Sequence, residues 1–186
     1  MVDFPVTGAG QGRIINVAGV VGPVIDTFAM PGDFWFPDGL KLRRISNRLV
    51  IFAAGSSTSM AELRPGEPLG ARWTSWGPDR VLISGGAATW LFERSTGTLR
   101  KLDPRDFVPS RGPNGLLYGV LSPVNGAQTA AIVRLDESGF TVLDVQRPAW
   151  LAAERSPFLV SVSESRMAVL YGVPPVVDVV VVDLPR

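Results

Sequence analysis

Residues 76–103 read WGPDRVLISGGAATWLFERSTGTLRKLD. A polar turn at Gly77–Asp79 leads into the apolar run RVLIS (80–84), a Gly-Gly break follows, and then comes TWLFER (89–94). The connector Ser95–Gly97 separates that run from TLRKLD (98–103). Apolar runs of four to eight residues, rich in Val, Leu, Ile and Phe and bounded by Gly, Pro, Ser and Asp, are the pattern of short strands joined by turns. The stretch therefore predicts three antiparallel strands.

The same grammar continues outward. RLVIFAA (48–54), GLLYGVL (115–121), AAIVRLD (130–136), FTVLDV (140–145), FLVSVS (158–163), RMAVLYG (166–172) and VVDVVVVDL (176–184) are further strand candidates. Glu137–Gly139 is a second hairpin connector, and Asn125–Gly126 is a pair in which both residues tolerate the positive φ of a tight turn. Gly and Pro number 20 and 16 and are spread along the chain, as expected where turns recur. Helical signals are few. Ser59 and Glu62 in STSMAELR have the spacing of a capping box. AWLAAER (149–155), after Pro148, has room for two helical turns. The chain is expected to be all-β, with less than about 15% helix against the usual third.

A unit recurs. SNRLVIFAAG, GPDRVLISGG, GPNGLLYGVL and SESRMAVLYG each join a polar turn to an apolar strand, with Arg48, Arg80, Gly115 and Arg166 at matching positions, spaced 32, 35 and 51 residues apart. Periods near these lengths accompany β-propellers and other β repeats. ERSTGTLRKLD resembles the strand–turn–strand segment of quinoprotein-type blades, and SVSESRMAVLYG resembles the inner strand of β-propeller repeats generally. The resemblance spans residues 40–186. It implies antiparallel blade-like hairpin repeats in a small or partial β-propeller. The Gly-His and Trp-Asp marks of WD repeats are missing from these units, and a β-sandwich whose meanders imitate blades is the alternative. Residues 1–39, rich in Gly and Pro and poor in charge, read as an N-terminal arm ahead of a β-repeat domain at 40–186.

Composition narrows the chemistry. The 186 residues carry 46% hydrophobic and 19% charged residues and a net charge of +1, so the chain is not of the disordered class and has no bulk field to recruit nucleic acid or an anionic membrane. It contains no Cys, which excludes disulfides, thiolate metal sites and thiol catalysis, and no His, which excludes Ser-His triads and imidazole ligands. No cofactor or metal is expected. IINVAGVVGPVI (14–25) is interrupted by Asn16 and Pro23 and is not expected to act as a signal peptide, and residues 176–184 are too short for a membrane-spanning helix.

Candidate motifs reduce to one group. TGAGQG (7–12) lacks the spacing and the strand–helix context of a dinucleotide loop. Asp178 and Asp183 are an odd number of residues apart, so a regular strand points them to opposite faces. Asp103 and Asp106 flank Arg105, which predicts an internal ion pair in a capped turn. Lys41 adjoins Arg43 and Arg44, and Lys101 alternates with leucines, so both lysines are expected on solvent-facing positions, away from any Ser–Lys chemistry. The aromatics remain: Phe34, Trp35 and Phe36 in DFWFPDG, and Trp73 and Trp76 in RWTSWG. Such residues serve as interface anchors or as core plugs. The expected function is a non-catalytic structural or interaction protein of a larger assembly. Its partners would be further copies of itself or other assembly subunits, with the arm reaching a neighbour, in the manner of a phage virion part or in the cytoplasm. The alternatives are a carbohydrate-binding or glycan-cleaving β domain and a cytoplasmic propeller scaffold.

Overall fold

Hairpin chemistry sets the pairing. The loop after TWLFER closes with Gly97 N–H donating to the Arg94 carbonyl at 3.2 Å, and Gly97 sits at φ 64°, a conformation that glycine adopts without steric penalty. At the next hairpin the Asp136 carboxylate accepts from Ser138 N–H at 2.9 Å, an Asx turn that leaves Asp136 paired with Gly139. Repeated along the chain, such turns give seventeen strands and no α-helix among the described residues, with one 3₁₀ turn at Pro113–Gly115. The computed structural model describes residues 10–15, 21–29, 32–53, 55–123 and 130–184, and side-chain surroundings from residue 32 onward.

The chain divides into two compact units, Met1–Ala71 and Arg72–Arg186. The first holds two sheets. β1 (Gly10–Ile15) pairs antiparallel with β2 (Val21–Ala29) in an irregular register. β3 (Phe34–Trp35), β4 (Lys41–Ile45), β5 (Arg48–Phe52) and β6 (Ser59–Leu63) form a four-stranded meander in chain order. Residues 59–63 are therefore strand, not the start of a helix. Ser59 pairs with Phe52 and Glu62 with Val50, and Glu62 accepts from Arg48 across the sheet at 3.1 Å. Strand pairing and this ion pair use the residues that a capping box would have used.

The second unit is a succession of three antiparallel sheets. β7 (Arg72–Ser75), β8 (Arg80–Ser84), β9 (Thr89–Glu93) and β10 (Thr98–Asp103) make the first. β11 (Phe107–Arg111), β12 (Leu117–Leu121), β13 (Ala131–Asp136) and β14 (Gly139–Val142) make the second. β15 (Pro157–Val162), β16 (Arg166–Val173) and β17 (Val176–Asp183) make the third, which has one strand fewer. Each is an open up-and-down meander, the blade-like hairpin repeat expected from the sequence. The matched positions Arg80, Gly115 and Arg166 fall at or just before the second strand of their sheets, whereas Arg48 begins the third strand of its own. The long spacing before Arg166 is taken up by residues 143–156, which form turns and no helix, so the two helical turns expected at 149–155 are absent.

Side-chain alternation explains the stacking. Leu117 and Leu121 point one way from β12, into a cluster with Phe107, Val133 and Leu135 of their own sheet and Trp76, Leu82 and Leu91 of the sheet before. Tyr118 and Val120 point the other way, into a cluster with Val160, Met167, Val169, Tyr171 and Val180 of the last sheet. All five residues of β12 are consequently buried. Gly119 lies at the tightest point, because a Cβ there would collide with the Val108 carbonyl and the Phe107 ring. The Phe107 and Phe140 rings meet edge to face with centroids 5.0 Å apart.

Candidate functional site

The aromatic residues singled out by the sequence are placed individually. Phe36 is buried, Phe34 and Trp35 are half-buried, and the Phe34 and Phe36 rings stack edge to face at 5.3 Å. Cross-strand register sets Trp35 beside Lys41 and Lys41 beside Phe52, so all three share one face of the sheet. The Lys41 ammonium lies 5.3 Å from the Trp35 ring and 4.9 Å from the Phe52 ring, and the residue is fully buried. This corrects the expectation of a solvent-facing Lys41. Arg43 and Arg44 follow it closely in sequence, but its neighbours across the sheet are aromatic, and cation–π attraction offsets part of its lost hydration. On the same face Arg43 donates to both carboxylate oxygens of Asp33 at 2.8 and 2.7 Å.

Trp73 and Trp76 do not form a shared platform. Trp73 is opposite Ile83 in register, on the face of β8 away from Leu82, whereas Trp76 packs with Leu82. Trp76 is 7% exposed, and its Nε1 donates to the Gly115 carbonyl at 3.1 Å. The Arg80 guanidinium lies over the Trp76 ring at 4.4 Å and forks onto Glu137 at 2.7 and 2.5 Å. That hydrogen-bonded guanidinium holds the Glu137 carboxyl below its ordinary value. The aromatic residue that sequence reading missed is Trp150, 64% exposed in the turn after Pro148, where a lone Trp carries no local signal.

The carboxylates are engaged in pairs and turns. Arg105 forks onto Asp103 at 2.8 and 2.9 Å, the internal pair expected there, while Asp106 accepts from Gly85 N–H at 2.5 Å. Asp178 lies opposite Tyr171 and Asp183 opposite Arg166, on alternate faces of β17 as their spacing requires. Asp178 is 3.5 Å from Arg155, and Asp183 is 3.4 Å from Arg166. Of TGAGQG, Gly10–Gly12 belong to β1, and residues 7–9 lie outside the described residues, as does Asn125–Gly126.

A cleft of about 350 Å³ opens between the second and third sheets of the second unit, lined by Ile132, Val142, Asp144, Arg147, Arg155 and Tyr171 among others. Its arginines are engaged. Arg147 lies 5.6 Å over the Tyr171 ring and donates to the Ala152 carbonyl, and Arg155 donates to the Val176 carbonyl at 2.7 Å. Burial pushes the Tyr171 phenol above its ordinary value, and Arg147 partly opposes this. The guanidinium groups of the cleft are thus already engaged, and Arg155 also lies 3.5 Å from the Asp178 carboxylate.

The outer face of the last sheet is different in kind. Register across it aligns Leu159 with Leu170 and Leu170 with Val179, and next to that row Ser161, Ala168 and Val181. Leu159, Val179 and Val181 are 37%, 53% and 59% exposed, and at the adjoining hairpin tip Val173 and Val176 are 76% and 57% exposed. The charges on this face, Arg166 and Asp183, sit together at one end. Exposed apolar side chains arranged in rows, rather than scattered singly, mark an interaction surface.

The chain matches no protein-family model and no curated protein.

Proposed function

We propose that the protein is a non-catalytic structural subunit that associates with further copies of itself, using the last sheet of its second unit as the contact surface. The observation that carries this reading is the bare apolar outer face formed by Leu159, Leu170, Val179 and Val181. Fully burying a Val or Leu side chain is worth about 1.5–3 kcal/mol. Four such residues, several of them half-exposed, supply a driving force that survives the entropy of association only if they are covered together. The near-neutral charge of +1 favours contact between copies, since no strong field keeps them apart.

The test is the solution mass by light scattering coupled to size exclusion over a wide concentration range. A mass that is a multiple of the 19.9 kDa chain is expected. A chain that stays at 19.9 kDa at the highest concentration overturns the proposal.

A further inference from the structure

The last sheet has three strands where the other meanders of β3–β14 have four, and its free edge is β17. Two backbone hydrogen bonds fix which groups lie on that edge. Ser163 N–H donates to the Arg166 carbonyl, so Arg166, Ala168 and Leu170 direct their backbone groups toward β15. The alternate residues Met167, Val169 and Tyr171 then bond to β17, at their register partners Val182, Val180 and Asp178. Leu184 N–H donating to the Ser165 carbonyl keeps the same phase. The N–H and C=O groups of Val177, Val179, Val181 and Asp183 therefore point away from the sheet. No strand among the described residues pairs with them.

The other edges of the sheets formed by β3–β17 are defended. β7 and β14 are four residues long, and β3 is two. β10 carries Arg100 and Lys101, β6 carries Glu62, β11 contains Pro109, and β15 begins at Pro157 and packs against β11 and β12. Short strands, charges and prolines are the usual protections of a sheet edge. β17 has eight residues, six of them valine, and neither lysine nor proline. Its two carboxylates are already paired with Arg155 and Arg166.

We infer that β17 pairs antiparallel with β17 of a second copy about a two-fold axis at Val180, making one continuous six-stranded sheet. This inference rests on the self-association proposed above and places a contact at the edge of the same sheet; such pairing widens the outer face rather than covering it. The occupant is a second copy because the strand is complementary to itself. Antiparallel pairing centred on Val180 sets Val179 opposite the partner's Val181, Val177 opposite the partner's Asp183 and Asp178 opposite the partner's Val182. No like charges are directly opposed, which an arbitrary register would not ensure. The outer face stays on one side throughout, because residues paired in this register have the same parity. The groups that point outward meet one another, so the four residues with free N–H and C=O groups become the hydrogen-bonded pairs of the new ladder. The arrangement also brings a carboxylate, the partner's Asp183, to the end of β17 where Arg155 donates to the Val176 carbonyl. An isologous contact of this kind closes on itself as a dimer.

The experiment uses the full chain. Val179→Pro removes an N–H that only the second copy would use, and Val179→Lys places a charge on the edge without touching the backbone. Both variants are expected to keep the wild-type circular dichroism spectrum and to elute with the mass of one chain, where the wild type has twice that mass. The chain contains no cysteine, so Val180→Cys introduces a single thiol beside its own symmetry mate. It is expected to oxidise to a covalent dimer about tenfold faster or more than Val142→Cys, a thiol at a 67% exposed position on another sheet. Association of the wild type together with unchanged masses for folded Val179→Pro and Val179→Lys, or equal oxidation rates for the two thiols, overturns the edge assignment and leaves self-association standing. A monomeric wild type overturns both.

Discussion

The second and third sheets of the second unit are built from the same materials and end in opposite situations. β12 and β17 are both predominantly apolar strands of antiparallel meanders. β12 is covered on both faces, by Leu82 and Leu91 on one side and by Val160 and Met167 on the other. β17 is covered on one face alone, through Val180, while Val179 and Val181 stay in solvent and its edge has no neighbour among the described residues. The contrast teaches that an apolar strand here is a docking element by default. Whether it reads as core or as surface depends on whether the chain supplies the next layer.

Three substitutions probe this contrast. The largest effect is expected from Phe107→Ala, which empties the fully buried space between the first and second sheets of the second unit and removes the edge-to-face contact with Phe140. A loss of about 3–5 kcal/mol in unfolding free energy is expected, read from urea denaturation. A loss below about 0.5 kcal/mol, the range of ordinary surface changes, would mean that the two sheets do not depend on each other. Gly119→Ala comes next. Its methyl group must displace the Phe107 ring or separate β11 from β12, which costs about 1–3 kcal/mol by the same measurement. Wild-type stability in that variant would show that Val108 and the Phe107 ring do not close on Gly119. Val181→Thr is the smallest. On the bare outer face it is expected to shift the denaturation of dilute protein by less than about 0.5 kcal/mol, as at other surface positions. A shift comparable to that of Gly119→Ala would place Val181 under cover even in the single chain.

Much of the fold was legible because turns and strands are local. RVLIS and TLRKLD are β8 and β10 to the residue, and the runs at 166 and 176 are β16 and β17 within a residue. The strands that sequence reading passed over fail for particular reasons. KLRRI is dominated by charge, and its buried Lys41 makes sense only beside Trp35 and Phe52. SMAEL carries a helical capping signature that pairing with β5 overrides. FVPSR contains a proline that a sheet edge tolerates. The candidate site was less legible. Phe36 and Trp76 were chosen for their size, but size does not distinguish a core plug from an anchor, and the structure buries both.

What the amino-acid sequence determined by itself is the all-β grammar of short strands and tight turns, and the exclusion of thiol and imidazole chemistry by the lack of Cys and His. What only the tertiary structure decided is which apolar faces are covered. Leu117–Leu121 and Val176–Asp183 satisfy the same local rules, because backbone pairing and side-chain alternation involve near neighbours. Cover comes from residues tens of positions away: Leu82 and Met167 reach β12, and none of the described residues caps Val179 and Val181. Burial is a property of the next layer, and for the outer face of the last sheet the described residues of the second unit provide none.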